Sequence, residues 1–221
     1  MKYNSSNPNI VFLEWNNKEH IAAVCKLHMK LLPESILSKM GYLFLSKFYY
    51  AKFIRDSSIE VYLYKHEEKF VGFISCTNRP FTFIDEGNKK HLLTICFLLG
   101  VSIILKPIRL GTILKMKNNV SFNHLQGEYN DEIGQFLSLG VLEDARKMID
   151  PIEKVTISNV LMKLVFHHFN ANGKMWFFLE VLKSNKRAIQ FYEKHGGIII
   201  PNTIEQVESI VVKFKLQLKQ V

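Results

Sequence analysis

The chain has 221 residues, of which 48% are hydrophobic and 22% charged, enough for one domain with a substantial core. With 11 glycines and 6 prolines, the composition excludes disordered, collagen-like and linker-rich chains. The three cysteines, Cys25, Cys76 and Cys96, are too few and too widely spaced for a disulfide framework or a zinc ribbon, so we expect reduced thiols in a cytoplasmic protein.

The formal net charge of +9 is typical of proteins that meet nucleic acid, an anionic membrane surface or a phosphorylated ligand. The lysines are scattered and no arginine-rich block occurs, so nucleic acid is the least favoured of these partners. The N-terminal residues lack the apolar core of a signal peptide. The longest uncharged run, 92–105, would span about 21 Å as a helix, short of the roughly 30 Å hydrocarbon core of a membrane.

Hydrophobic periodicity defines the elements of the first part of the chain. In chain order they are a strand over 10–15, helices over 18–31 and 35–55, and a hairpin of strands over 59–65 and 69–77. Asn17 is the expected N-cap of the first helix, and Pro33 ends it. The hairpin starts an antiparallel sheet.

Residues 80–127 interrupt this pattern and are predicted to form a mostly helical insertion within a single domain that spans 1–221. From position 87 to 127 the sequence has six Lys or Arg residues and no acid. Two interpretations are open. The insertion is a helical hairpin that covers the sheet or packs in a homodimer, or its segment 89–117 is a peripheral element that meets anionic headgroups at the inner face of a membrane.

The rest of the chain alternates strands and helices. The predicted order is a strand over 132–141, a loop over 142–156, a helix over 157–170, a strand over 175–182, a helix over 185–195 and strands over 198–200 and 207–218. Two strands joined by a helical crossover run parallel. The predicted fold class is therefore α/β (α+β), with a mixed, mainly antiparallel central sheet that contains one parallel pair and has helices on both faces.

The stretch LKSNKRAIQFYEKHG, residues 182–196, resembles the last signature of the GNAT N-acetyltransferase superfamily, a strand followed by N-x-x-A-x-x-F-Y-x-x-x-G. The matching positions are Asn185, Ala188, Phe191, Tyr192 and Gly196. The strands at 71–74, 137–141 and 177–181 are also similar to strands of that family. The resemblance implies a GNAT-like fold with a splayed parallel strand pair, acetyl-CoA as co-substrate and a primary amine as acceptor.

The same resemblance implies roles for individual residues. Tyr192 is the expected general acid for the leaving thiolate, with simple packing of an amphipathic aromatic as the alternative. Asn185 and Ala188 are expected to contact the cofactor arm, and Asn185 also suits a plain N-cap of the last helix. Backbone N–H and C=O groups of a strand that lack a neighbouring strand can bind an extended pantetheine chain. The residues expected to supply these groups are Leu139, Gly140 and Val141.

The loop before the third long helix departs from the family pattern R/Q-x-x-G-x-G/A. Arg146 suits its first position in one alignment, whereas the acidic Glu153 occupies that position in the other, and neither alignment supplies the glycines. A helix N-terminus is still a ready anion site. The residues expected to bind the pyrophosphate there are Arg146, Lys147, Lys154, Thr156, Ile157 and Ser158.

A second departure concerns the general base. Gln135 stands where many relatives have a glutamate, and glutamine cannot accept a proton at neutral pH. Glu132, three positions earlier at the start of the same strand, is the expected base, with a solvated strand-end carboxylate as the alternative. The residues expected to line the acceptor site are His28, Gln135 and His124.

These features together predict an N-acetyltransferase that moves an acetyl group from acetyl-CoA to a primary amine of a small molecule, an amino sugar or sugar nucleotide first. Direct attack in a ternary complex is expected, because no cysteine lies in the matched motifs. No metal is expected, since His167 and His168 point about 100° apart on a helix. The alternative is a catalytically inactive GNAT-fold module that binds a ligand or associates with a membrane.

Overall fold

The computed structural model describes residues 7–105, 132–200 and 209–216. Within these ranges the strands are β1 Ile10–Phe12, β2 Glu60–His66, β3 Lys69–Thr77, β4 Ile133–Val141, β5 Trp176–Leu182, β6 Ile198–Ile200 and β7 Ser209–Lys215. They form one sheet in the order β1-β2-β3-β4-β5-β7-β6. Every neighbouring pair is antiparallel except β4 and β5, which run parallel. The predicted mixed and mainly antiparallel sheet is confirmed.

The described helices are α1 Lys18–Leu31, α2 Ile36–Met40, α3 Tyr42–Phe44, α4 Tyr50–Arg55, α5 Phe83–Lys90, α6 Leu92–Leu105, α7 Ile157–Ala171 and α8 Lys186–Lys194. The predicted start of α1 is confirmed, because Asn17 Oδ1 accepts a hydrogen bond from the His20 amide at 3.0 Å. Over 7–105, 132–200 and 209–216, no helix has both the length and the apolarity that a membrane crossing requires.

The prediction of one continuous helix over 35–55 is wrong. Ser35 caps the short α2, and Gly41 then adopts a φ of 92°, a left-handed conformation that glycine accepts without strain and that interrupts the helix. The chain resumes as α3, passes through a π-helical turn over Leu45–Tyr49 and ends as α4. The sequence pattern missed the break because the apolar stripe continues across it.

The sheet is covered on both faces. We call them the α7 face and the α1 face. On the α7 face, α7 and α8 pack on the sheet around a core that includes Leu161, Phe169 and Phe177. On the α1 face, helices α1 to α6 enclose a second core that includes Phe53 and Phe73. Both β2 and β3 are buried along most of their length because they lie between these two layers.

Within the segment predicted to be a helical insertion, the structure describes the helices α5 and α6. Residues 106–127 lie outside the described residues. The strand predicted over 10–15 is shorter, since the Asn17 amide donates to the Glu14 carbonyl at 3.1 Å in a turn that ends it. The last strand, predicted over 207–218, is described from Ser209 to Lys215.

Candidate active site

The parallel strands β4 and β5 pair only at their beginnings. Cα partners are Ile133 with Trp176, Gly134 with Phe177, and Gln135 with Phe178. Beyond these rungs both strands continue, to Val141 and Leu182, without pairing to each other. The predicted splayed pair is therefore present, and a gap opens in the sheet between β4 and β5.

A β-bulge in β4 lies at the start of the gap. In the ladder with β3, Ser138 is opposite Ser75 and Phe136 is opposite Cys76, so Leu137 is an extra residue. Phe136 packs in the core of the α7 face, and the next residue, Leu137, packs against the core of the α1 face, as on a regular strand. The bulge then changes this alternation, because Leu139, two residues after Leu137, packs on the α7 face.

The backbone of β4 beyond the bulge presents polar groups to the gap. The Leu142 amide donates to the Val71 carbonyl of β3 at 2.8 Å. In an antiparallel ladder, groups of alternate residues point to opposite edges, so the amides of Leu139 and Val141 point away from β3 and toward the gap. The Val141 carbonyl on that edge accepts a hydrogen bond from Arg146 Nε at 3.2 Å.

Gly140 lies between these two residues, and its backbone groups point toward β3. A Cβ atom there would lie 2.8 Å from Leu31 of α1 and 2.9 Å from Phe73. The glycine therefore permits close packing of α1 on the sheet, and its missing side chain does not face the gap.

Tyr192 of α8 lies beside the bulge on the α7 face. Its ring centroid is 6.2 Å from that of Phe136 and 6.4 Å from that of Phe214, both in edge-to-face contact. Burial raises the pKa of the Tyr192 phenol well above its ordinary value, so the group stays protonated at neutral pH. The structure thus places this ring in the core of the α7 face, against Phe136 of β4, as the packing alternative predicts.

Asn185 is the N-cap of α8. Its Oδ1 accepts a hydrogen bond from the Ala188 amide at 3.1 Å, which satisfies one of the first amides of that helix. Ala188 is half-buried and packs against the core of the α7 face. The plain N-cap anticipated for Asn185 is therefore confirmed.

The loop between β4 and α7 is organised by Asp150, which is completely buried. Its Oδ2 accepts hydrogen bonds from Asn7 Nδ2 at 3.1 Å, Asn9 Nδ2 at 3.3 Å and the Tyr64 hydroxyl at 2.5 Å. Its Oδ1 accepts from the amides of Ile152 at 2.9 Å and Glu153 at 2.5 Å. This single carboxylate ties the loop to the strand β2 and to the residues before β1.

The pKa of Asp150 follows from these contacts. Burial by itself raises the pKa, but the hydrogen bonds from the Glu153 amide, from Tyr64 and from the two asparagines outweigh it and lower the pKa to about 2. The carboxylate is therefore ionised throughout the neutral range.

The first turn of α7 is left partly open. Thr156 is its N-cap but makes no side-chain cap hydrogen bond, and its hydroxyl lies 3.4 Å from that of Ser158. The Ile157 amide donates to the Met148 carbonyl at 3.3 Å and is occupied. In the part of the chain that the structure describes, the amides of Ser158 and Asn159 have no acceptor.

Charged side chains surround this helix start. Lys147 and Lys154 are exposed, and Lys154 has a φ of 56°. Glu153 is directed onto α7, where it accepts a hydrogen bond from Lys163 Nζ at 2.9 Å, so its charge is compensated. Next to the loop, an open cleft of about 470 Å³ is lined by Lys30, Leu31, Glu143, Asp144 and Arg146.

The structure does not bring the expected base near Tyr192. Glu132 is exposed, precedes β4 and is four residues from Phe136, about 13 Å along a strand. Its carbonyl accepts from the Met175 amide at 2.8 Å, at the paired end of β4 and β5. Gln135 is half-buried at the last paired rung, opposite Thr77 and Phe178.

The placement of His28 does not suit contact with a substrate. The ring is buried, with Nδ1 2.6 Å from the Tyr50 hydroxyl and Nε2 3.1 Å from Ser35 Oγ. Burial lowers its pKa to about 4, so the ring is neutral and both nitrogens are used within the core. His124, also expected on the acceptor side, lies outside the described residues.

No family model and no curated protein matches the chain. Solved structures do. A GNAT-family acetyltransferase from Staphylococcus aureus Mu50 is 11% identical, with 94% of this chain and 99% of that chain covered and a TM-score of 0.50. Aminoglycoside 6'-acetyltransferase type Ii is 12% identical, with 93% and 96% covered and a TM-score of 0.50. Arabidopsis thaliana NAA60 in complex with acetyl-CoA is 15% identical, with 93% and 98% covered and a TM-score of 0.50.

This is the GNAT fold. The resemblance to that fold inferred from residues 182–196 is confirmed at the level of the fold, including the splayed strand pair. GNAT-fold proteins are diverse at such low identity, so the chemistry of this chain has to be argued from its own site.

Two features of the site were missed by sequence reasoning. The buried carboxylate of Asp150 has partners as far as 143 residues away, and only the Asp-Pro pair in the loop indicates a turn there. The bulge at Leu137 has no signal in the sequence, because its neighbours are ordinary strand residues.

Proposed function

We propose that the chain is an acyl-CoA-dependent N-acyltransferase that moves the acetyl group of acetyl-CoA to a primary amine of a small molecule. The observation that carries the proposal is the gap between β4 and β5, into which the amides of Leu139 and Val141 point beside a bulge. An extended pantetheine arm carries amide groups that can pair with such a strand edge as an added strand does.

The phosphates of the same molecule would bind at the start of α7. The amides of Ser158 and Asn159 point out of a helix N-terminus, where the dipole favours an anion. The hydroxyls of Thr156 and Ser158 and the ammonium groups of Lys147 and Lys154 are placed to contact phosphate oxygens. Arg146 would act differently, because its Nε holds the Val141 carbonyl at the edge of the gap.

The chemistry is aminolysis of a thioester: the amine nitrogen attacks the carbonyl carbon, the C–S bond breaks, and one proton passes in net from nitrogen to sulfur. Tyr192 would donate a hydrogen bond to the departing sulfur. Because its pKa is raised by burial, full proton transfer from the phenol to a thiolate of pKa about 8.5 is uphill. The role of Tyr192 is therefore to stabilise the leaving group with a neutral donor, and the amine's own proton would reach the sulfur through water.

A side-chain base is not required if the amine reaches the site uncharged. Glu132 is too distant from the bulge to take the proton directly, and Gln135 cannot accept one. An acyl-enzyme route is disfavoured, because burial raises the pKa of Cys25 to about 12 and that of Cys76 well above its ordinary value. Direct attack in a ternary complex fits these side chains best.

For the acceptor we propose an amino sugar or a sugar nucleotide. A polyhydroxylated amine suits the open cleft that carries Lys30, Arg146, Glu143 and Asp144, since these side chains offer both donors and acceptors. One solved structure of similar fold is that of an aminoglycoside 6'-acetyltransferase. We propose the cytoplasm as the compartment, because all three cysteines are free thiols and acetyl-CoA is made available there.

A second candidate is a GNAT-fold module without transfer activity. It is favoured by Gln135 and by a loop in which Asp150 and its hydrogen bonds replace the glycines of the family pattern. Such a module would bind acetyl-CoA at the same gap. It would not release the free thiol of CoA, whichever amine is added.

The test is calorimetric titration with acetyl-CoA, followed by a screen of amino sugars for release of free CoA thiol. Tyr192→Phe should leave the Kd of acetyl-CoA unchanged and lower kcat about a hundredfold, since only the donor to the leaving sulfur is lost. Tyr42→Phe, at an exposed tyrosine of α3, is the matched control and should behave as the wild type.

The outcomes separate the candidates. Micromolar binding with thiol release supports the enzyme, and micromolar binding without release from any amine supports the inactive module. Absence of binding up to millimolar acetyl-CoA contradicts both.

A further inference from the structure

Helix α6 has an apolar surface that nothing in the described chain covers. Its outer stripe consists of Leu92, Leu93, Cys96, Phe97 and Gly100, which share one face of a helix and are all exposed. Leu93 is 87% exposed and Phe97 69%. The opposite side of the helix packs on the α1-face core, where Leu98 is buried.

The stripe is held in a defined position. Just before α6, His91 Nε2 lies 2.6 Å from Asp56 Oδ2, and Lys90 Nζ lies 2.9 Å from Asp56 Oδ1. These contacts tie the junction of α5 and α6 to the end of α4. An exposed stripe on a firmly attached helix indicates a docking surface rather than a frayed segment.

The stripe begins beside an exposed cation. Lys89 is exposed at its start, Lys90 is exposed too but pairs with Asp56, and the chain as a whole carries a formal net charge of +9. The acids just before Lys89 are Asp85 and Glu86, in the first turn of α5, and Glu86 is paired with Arg79 at 2.9 Å.

We propose that the outer stripe of α6 docks onto a bilayer that contains anionic lipid. Leu92, Leu93 and Phe97 would enter the headgroup boundary while Lys89 meets lipid phosphates, with α6 parallel to the surface. A second copy of the chain is a poorer occupant, because two copies that each carry a formal net charge of +9 repel each other.

The experiment is co-sedimentation of the full chain with phosphatidylcholine vesicles that contain about 30 mol% phosphatidylglycerol, against pure phosphatidylcholine. We expect binding to the anionic vesicles that weakens as salt is raised. The double variant Leu93→Ser, Phe97→Ser should bind about tenfold less, and Lys89→Glu should reduce the preference for anionic vesicles. Ile198→Ser, at an exposed isoleucine of β6, is the matched control and should bind as the wild type.

Two further measurements keep the proposal falsifiable if the double variant folds poorly. A polarity-sensitive dye on Cys96, the exposed cysteine, should shift to the blue with anionic vesicles, because Cys25 and Cys76 are buried and remain unlabelled. Light scattering gives the oligomeric state without lipid. The proposal is overturned if the wild type does not bind anionic vesicles, if the dye does not respond, or if the chain is a dimer that the double variant dissociates.

Discussion

Two helix starts border the gap between β4 and β5, and they are built in opposite ways. At the start of α8, Asn185 occupies the Ala188 amide with its own side chain. At the start of α7, Thr156 leaves the amides of Ser158 and Asn159 without an acceptor in the described chain, and the preceding loop is held by Asp150 instead. At the first start, the amides of both Lys186 and Ala188 have acceptors within the chain. The second is held in place from outside the helix and offers its amides to an anion.

The largest expected effect is that of Asp150→Ala, which removes the carboxylate that anchors the loop before α7. Tyr64, Asn7 and Asn9 would each lose a hydrogen bond to a charged carboxylate, so the free energy of unfolding should fall by about 3 kcal/mol or more. Urea denaturation followed by circular dichroism measures it. Asp144→Ala, at an exposed aspartate of the same loop, should change stability by less than about 0.5 kcal/mol. Equal effects of the two variants would contradict the anchoring role.

The same carboxylate gives a pH dependence. Its pKa is about 2 in the folded protein and about 3.9 in an unfolded chain, so its contribution to stability is full above pH 5 and is lost as the pH falls through about 2. The stability difference between the wild type and Asp150→Asn, which does not titrate, should be constant from about pH 7 to 5 and shrink toward pH 2. Contributions from His28 and His168 are common to both proteins and cancel. A difference that does not change with pH would show that Asp150 is not ionised in this setting.

Thr156→Asp would make the start of α7 resemble that of α8. An aspartate N-cap can accept from the amides of Ser158 and Asn159, so we expect a gain in stability of about 0.5–1 kcal/mol. It would also occupy the proposed phosphate site with a negative charge, and the Kd of acetyl-CoA should rise about tenfold or more. Calorimetry and urea denaturation measure the two effects, with Thr156→Ser as control. An unchanged Kd would place the phosphates elsewhere.

Asn185→Ala tests the other helix start and has the smallest expected effect. Loss of the cap should lower the free energy of unfolding by about 1 kcal/mol, and Asn185→Ser should restore most of it. Because its Oδ1 is already used within α8, we expect the Kd of acetyl-CoA to change less than about twofold. A large rise in Kd in Asn185→Ser, with stability retained, would instead assign the side chain to the cofactor.

Much of the fold was predictable because it depends on short-range patterns. Asn17 and Asn185 are caps that bond within three residues, and short apolar runs on either side of a charged turn mark β2 and β3. The strand, helix, strand order of β4, α7 and β5 dictates a parallel pair. The motif from Asn185 to Gly196 then indicated the GNAT fold, which the solved structures bear out.

The interior of the site was less predictable, since it depends on contacts between distant segments. Glu132 and Gln135 lie on the predicted strand, but the distance from Glu132 to Tyr192 depends on where β4 and β5 separate. The sequence shows that His28 lies on an apolar helix face. Only the structure shows that its two ring nitrogens are hydrogen-bonded to the hydroxyls of Tyr50 and Ser35.

The sequence by itself therefore determined the order and type of the elements, the parallel crossover and the last signature with its caps, because each follows from hydrogen bonds or periodicity within a few residues. Only the tertiary structure decided the bulge at Leu137, the anchoring of the loop through Asp150 and the exposed stripe of α6. Those features depend on how the helices pack on the two faces of the sheet. The residues that Asp150 contacts are 86 and 143 positions away, and no local sequence pattern indicates such contacts.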